Sequence, residues 1–112
     1  MTRDRDILRE EWRVKAVEHV KLLDKAARLK EGKDIFLGEL VNTLMEQNAT
    51  LSNAAAERMA KTSDAYKGYL HRMHDARTEA NLAEIVVGDA DKKYWESVRH
   101  EATSRAEMKM GR

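Results

Sequence analysis

Cysteine and proline are both absent from this chain. Without cysteine there is no disulfide, no thiolate metal ligand and no thiol nucleophile, which fits a reducing cytoplasm. Proline costs roughly 3 kcal/mol inside a helix. Its absence, beside plentiful Ala, Glu, Lys, Arg, Leu and Met, points to helix nearly throughout. Aromatics are scarce, with one Phe, two Trp and three Tyr, while 37% of the residues are charged. Such a composition excludes a thick globular core but can line the narrow seams between helices. No segment alternates apolar and polar residues long enough for a strand. No stretch approaches the roughly 20 apolar residues of a membrane span. The charged start Met1-Thr2-Arg3-Asp4-Arg5-Asp6 leads into no apolar run of a signal peptide.

What is present is helical periodicity. Leu8, Trp12, Ala16, His19, Leu23 and Ala26 follow at steps of four or three, widened by Val17, Val20 and Ala27. They predict a helix over about 4–30. Gly32 suits a helix C-terminus and Asp34 a following N-cap, so a break is expected at Glu31–Asp34. Leu37, Val41, Leu44 and Leu51 then predict a helix over about 35–48. Asn48-Ala49-Thr50-Leu51-Ser52-Asn53 is dense in side chains that compete with the backbone ladder, and it predicts an interruption. A short helix over about 54–61 follows, with Ser63 as the next cap. The most regular pattern comes last. Tyr66, Tyr69, Met73, Ala76, Ala80, Ala83, Val87, Ala90, Tyr94 and Ser97 are spaced 3, 4, 3, 4 without a slip. This heptad seam runs straight through Gly88-Asp89 and predicts one helix over about 64–108. Toward its end Trp95, Val98, Ala102 and Ala106 form a second stripe, read as taking over from the first. The expected fold is all-α, a single domain forming an antiparallel helical hairpin or bundle with coiled-coil-like packing and a long C-terminal helix.

Few residues group as chemistry would require. His71 and His74 share a helix face at i, i+3, but two imidazoles without a third ligand make a solvated polar face more readily than a metal site. No glycine-rich phosphate loop and no nucleophile–His–acid arrangement is present. The expectation is a binding protein with no catalytic residue, no metal and no cofactor.

Net charge is +1, unevenly spread. Arg5, Arg9 and Arg13 form a ridge beside Trp12, and Lys92, Arg99, Arg105 and Lys109 crowd the last helix, whereas 64–91 is acidic. Basic clusters hold phosphates and a neighbouring Trp can stack on single strands, so these seven residues are the candidate nucleic-acid contacts. The opposing reading is ordinary helix electrostatics. Acidic residues flank the first ridge, and cations are favoured at a helix C-terminus.

Ser63-Asp64-Ala65-Tyr66-Lys67-Gly68-Tyr69-Leu70, Asp75-Ala76-Arg77 and the ending Tyr94-Trp95-Glu96-Ser97-Val98-Arg99 with Glu101-Ala102-Thr103-Ser104-Arg105-Ala106-Glu107-Met108 carry a resemblance. Over roughly 60–110 the chain resembles a family of small helical bacteriophage and prophage proteins found among recombination genes. The resemblance implies an accessory role in phage DNA metabolism and supplies no catalytic residue. The reading that follows is a phage-type protein that binds a protein partner in recombination or nuclease control, through Trp95, Val98, Ala102 and Met108. The alternatives are direct single- or double-stranded DNA binding, or inhibition of a host defence nuclease. A homodimer is expected, because the long last helix overhangs the segments before it.

Overall fold

The structure, a computed structural model, describes residues 2–110, with side chains described for 4–108. Three helices account for nearly all of it: α1 (Thr2–Gln47), α2 (Asn53–Thr62) and α3 (Asp64–Met110). No strand occurs among the described residues, and no helix there is long and apolar enough to cross a membrane.

The chain divides into two compact units. One comprises 1–22 with 80–112, and the other comprises 23–79. Each contains a stretch of α1 antiparallel to a stretch of α3. In the first, Arg5 meets Glu101; in the second, Lys25 meets Glu79 and the Leu29 carbonyl meets Tyr69.

The second unit holds most of the buried side chains. Val41, Ala56 and Ala60 form its centre, with Leu37, Leu40, Leu44, Met45 and Leu51 packed against them. Tyr66, Tyr69 and Ala76 on α3 are also buried. The α1–α2 connection forms where the polar run 48–53 predicts it. Asn48 Oδ1 accepts from the Thr50 amide (3.2 Å) and hydroxyl (2.7 Å), holding the turn. Ser52 then caps α2 by accepting from the Ala55 amide at 3.2 Å.

Ser63 alone joins α2 to α3. Its amide and hydroxyl both donate to the Ala60 carbonyl, closing α2. The same hydroxyl accepts from the Tyr66 amide at 3.2 Å, opening α3. One side chain therefore serves two helix ends. Ser63→Ala should cost about 1–2 kcal/mol, at the upper end for a helix cap. Chemical unfolding followed by circular dichroism checks this, and a change below a few tenths would contradict the double role.

The expected break at Glu31–Asp34 does not exist. α1 continues through it, and Gly32 has no positive φ. Gly32 is instead a point of close approach. A Cβ there would lie 2.8 Å from the Tyr69 hydroxyl oxygen, which donates to the Leu29 carbonyl at 2.5 Å. The Tyr69 ring is fixed by stacking on Phe36, with centroids 4.6 Å apart, and the Arg72 guanidinium lies 5.5 Å from its centroid. The glycine serves a tertiary contact, and the helix runs past it. By contrast, α3 does cross Gly88 unbroken, as its heptad register requires.

Every seam position from Tyr66 to Ser97 is buried or half-buried. The seam does not hand over to the Trp95 stripe. Glu101 and Ser104 continue it in phase, while Ala102 and Ala106 are exposed. In α1, Leu8, Ala16, His19 and Ala26 are half-buried as their spacing predicts, but Val17, Val20 and Leu23 face solvent.

Candidate functional site

The first unit is built differently from the second. Ala80 is the one buried residue it contributes among the described residues. Its α1 and α3 stretches meet through half-buried Arg5, Leu8, Ala16 and His19 on one side and Ala83, Val87, Ala90, Tyr94 and Ser97 on the other. Small seam residues allow close approach but remove little apolar area from water.

Three of the chain's six aromatic residues gather here. Trp12 comes from α1, and Tyr94 and Trp95 come from α3; with Arg9 and Asp91 they line one open cleft of about 300 Å³. The two α3 rings meet edge to face, with centroids 5.3 Å apart and planes inclined at 71°. The Trp95 indole N–H donates to Asp91 Oδ1 at 3.1 Å, one turn back, which fixes the ring against the helix. Trp95 nevertheless stays 51% exposed and Trp12 38%. A tryptophan held in one orientation but left half in water is a ready anchor, because little further ordering is needed when a partner covers it.

Of the four residues read as a partner surface, Trp95, Val98 and Ala102 share one face of α3 at i, i+3 and i+7. Met108, thirteen positions past Trp95, is turned away from that face by about 140°. It is exposed, on a different side of the helix. The structure adds Trp12 and Tyr94, which sequence spacing places in seams. The cleft forms because α1 and α3 run antiparallel, a juxtaposition that neither helix's own pattern announces.

The basic residues separate into distinct environments. Arg5 is drawn into the seam, its Nη1 3.0 Å from Glu101 Oε2, and Arg105 Nη2 reaches the same oxygen at 3.5 Å. Glu101 is the most covered of the ion-paired carboxylates, with its side chain 11% exposed. Arg13 lies 3.9 Å from Glu10. Arg9 lines the aromatic cleft. Lys92 and Arg99 are exposed on the Trp95 side of α3, while Arg105 is turned about 120° from Arg99. The side chain of Lys109 lies outside the described residues. The three arginines of the ridge are therefore not equivalent: Arg5 is already paired with a carboxylate 96 residues away.

No protein-family model, curated protein or solved structure matches the chain. Its chemistry rests on its own residues. Among those described, no three His, Asp or Glu side chains converge to hold a metal ion. His71 and His74 are both exposed on α3.

Proposed function

We propose that this chain is a non-enzymatic accessory protein of the phage recombination or nuclease-control type, acting in the bacterial cytoplasm. In this reading it pairs with a second copy of itself through the first unit and engages a different protein at the Trp12–Trp95 cleft. The phage setting rests on the resemblance over 60–110 alone, and the observation that carries the binding part of the proposal is the imbalance within that unit. It buries almost nothing yet exposes Ile7, Val14, Val17, Ile85 and Trp95, each half or more open to water. Single exposed apolar side chains are ordinary, whereas an ordered stripe of them marks a contact surface.

Three of these side chains, Ile7, Val14 and Val17, share one face of α1 with the charged Glu10 and Lys21. Ile7, Glu10, Val14, Val17 and Lys21 recur at steps of 3, 4, 3, 4, nearly opposite the half-buried Leu8, Ala16 and His19. From Glu10 to Lys21 this face is self-complementary. A second copy laid antiparallel about a twofold axis between Val14 and Val17 brings Val14 onto Val17 and Glu10 onto Lys21, twice over. An isologous interface requires that reciprocity, and flanking opposite charges set register in paired helices.

Sedimentation velocity at high micromolar concentration should show a dimer. Val14→Glu with Val17→Glu should give a monomer of unchanged helicity, since both positions face water in the single chain. Glu10→Lys should weaken association and Lys21→Glu in the same chain should restore it. A clean monomer for the unmodified protein would end the self-pairing proposal.

Direct DNA binding is the second reading, favoured by Arg9 in the aromatic cleft and by Lys92 and Arg99 on the Trp95 side of α3. A single strand is held by stacked rings beside cations. The two readings separate by salt. Phosphate contacts lose affinity steeply between roughly 50 and 200 mM salt. Fluorescent oligonucleotides should bind weakly across that range if the cleft serves a protein. Submicromolar, salt-sensitive binding lost in Arg9→Ala would make the cleft a strand-binding site.

A further inference from the structure

A second concavity lies wholly within the 23–79 unit. Leu23, Ala26 and Ala27 of α1 and Met73 of α3 give it an apolar lining, and Lys30, Lys33, His74 and Arg77 complete it, around a volume of about 390 Å³. Small molecules are held in pockets of about 300–1,000 Å³ that combine apolar walls with a few convergent polar groups. Ala26 and Ala27 leave the space, and longer side chains there would fill it.

The charge of this groove is of one sign. No carboxylate lines it. Among the described residues, no carboxylate comes within 4.0 Å of any of its four basic side chains. Two acids on the same helices are engaged elsewhere: Asp24 holds Arg28 at 2.9 Å and Glu79 holds Lys25 at 3.7 Å. Two i, i+3 pairs of basic residues, one on each helix, therefore share a groove that no carboxylate lines.

We infer that this groove binds a nucleotide through its phosphate monoester, with the base on the apolar lining formed by Leu23, Ala26 and Met73. A monoester carries about −1.5 to −2 charges at neutral pH and offers three acceptor oxygens, against a single charge on a carboxylate. It can be met by the forked donors of Arg77 and by the point charges of Lys30 and Lys33. Two sources present this group, a free mononucleotide and the 5′ end of a nucleic-acid strand.

The test is calorimetric titration of the full chain with deoxyadenosine monophosphate, with inorganic phosphate, and with one short single strand prepared with and without a 5′ phosphate. The mononucleotide should bind at micromolar to sub-millimolar concentration and inorganic phosphate at least roughly tenfold more weakly, because the base adds apolar contact. A preference for the phosphorylated over the unphosphorylated strand assigns the strand end as a source. Binding of the mononucleotide without that preference assigns the free nucleotide. Lys33→Glu with Arg77→Glu should abolish binding while helicity by circular dichroism stays unchanged. Arg77→Lys should retain it in weakened form, and the Met73 methyl resonance should shift on titration of the unmodified chain but not of the double charge reversal. Equal binding of inorganic phosphate and mononucleotide, binding that survives the double charge reversal, or no mononucleotide binding below about 1 mM would each overturn the assignment. So would binding of an acidic peptide in the same groove with none of the nucleotide.

Discussion

Tyr69→Ala should lower stability by about 3–5 kcal/mol, the range for removing a large buried aromatic side chain. Tyr69 is 8% exposed, stacks on Phe36 and donates its hydroxyl hydrogen to the Leu29 carbonyl. The alanine variant loses the ring's burial, the stacking and the hydrogen bond together, and leaves a void beside Gly32. Against the roughly 0.05–0.15 kcal/mol per residue typical of folded chains, this is a large fraction of the total. Urea unfolding measures it, and a loss below about 1 kcal/mol would mean that the α1–α3 contact at Tyr69 contributes little. A cycle with Gly32 isolates the close approach. Gly32→Ala gains up to about 1 kcal/mol of helix propensity, but its methyl must displace a hydroxyl held on a stacked ring. The substitution should therefore destabilise the unmodified protein and stabilise the Tyr69→Phe variant. The same sign in both backgrounds would refute a steric role for Gly32.

Replacing Gly38, Gly68 and Gly88 together by alanine should raise stability by about 2–3 kcal/mol, at roughly 0.8–1 kcal/mol per helix-interior position. All three lie within helices at exposed positions. A Cβ added to any of them meets nothing within 4 Å, and none adopts a positive φ. Their separation along the chain argues for additive effects. Thermal and urea unfolding should both move upward. A neutral or negative sum would show that at least one of these glycines performs a service in a bound or assembled state that the free chain does not reveal.

The fold was legible wherever periodicity and capping pointed the same way. The seam from Tyr66 to Ser97 gave α3 its register through Gly88, and the polar side chains of 48–53 marked the α1–α2 turn. Ser63 could be read as a cap, although its service to two helices required the geometry. Two failures share a cause. Gly32 followed by Asp34 has the local chemistry of a helix end, but a tyrosine 37 residues away made the glycine necessary for a different reason. Glu101 breaks the apolar rule of the seam, whereas the Trp95 stripe keeps it; Arg5, 96 residues away, is what holds that carboxylate inside. Both are tertiary contacts overriding a local signal. The candidate sites follow the same division. Trp95 stood out by residue type alone, but Trp12 and Arg9 joined it only through antiparallel pairing, and the basic groove of Lys30, Lys33, His74 and Arg77 draws on two helices whose separate sequences show nothing unusual there.

The unbroken 3–4 spacing of α3 also restricts how a gene for such a chain can change in length. One residue added to a helix turns everything beyond it by about 100°, which would carry seam residues out to solvent; seven residues return the face to within about 20° of its starting direction. Because each stretch of α3 packs against a stretch of α1, a heptad gained or lost in one leaves its neighbour unmatched. Viable length variants of this protein should therefore differ in whole heptads, as paired changes in the two long helices, while the 48–52 turn tolerates single insertions. Single-residue insertions scanned along the coding sequence should accordingly be accepted at that turn and rejected along most of both helices.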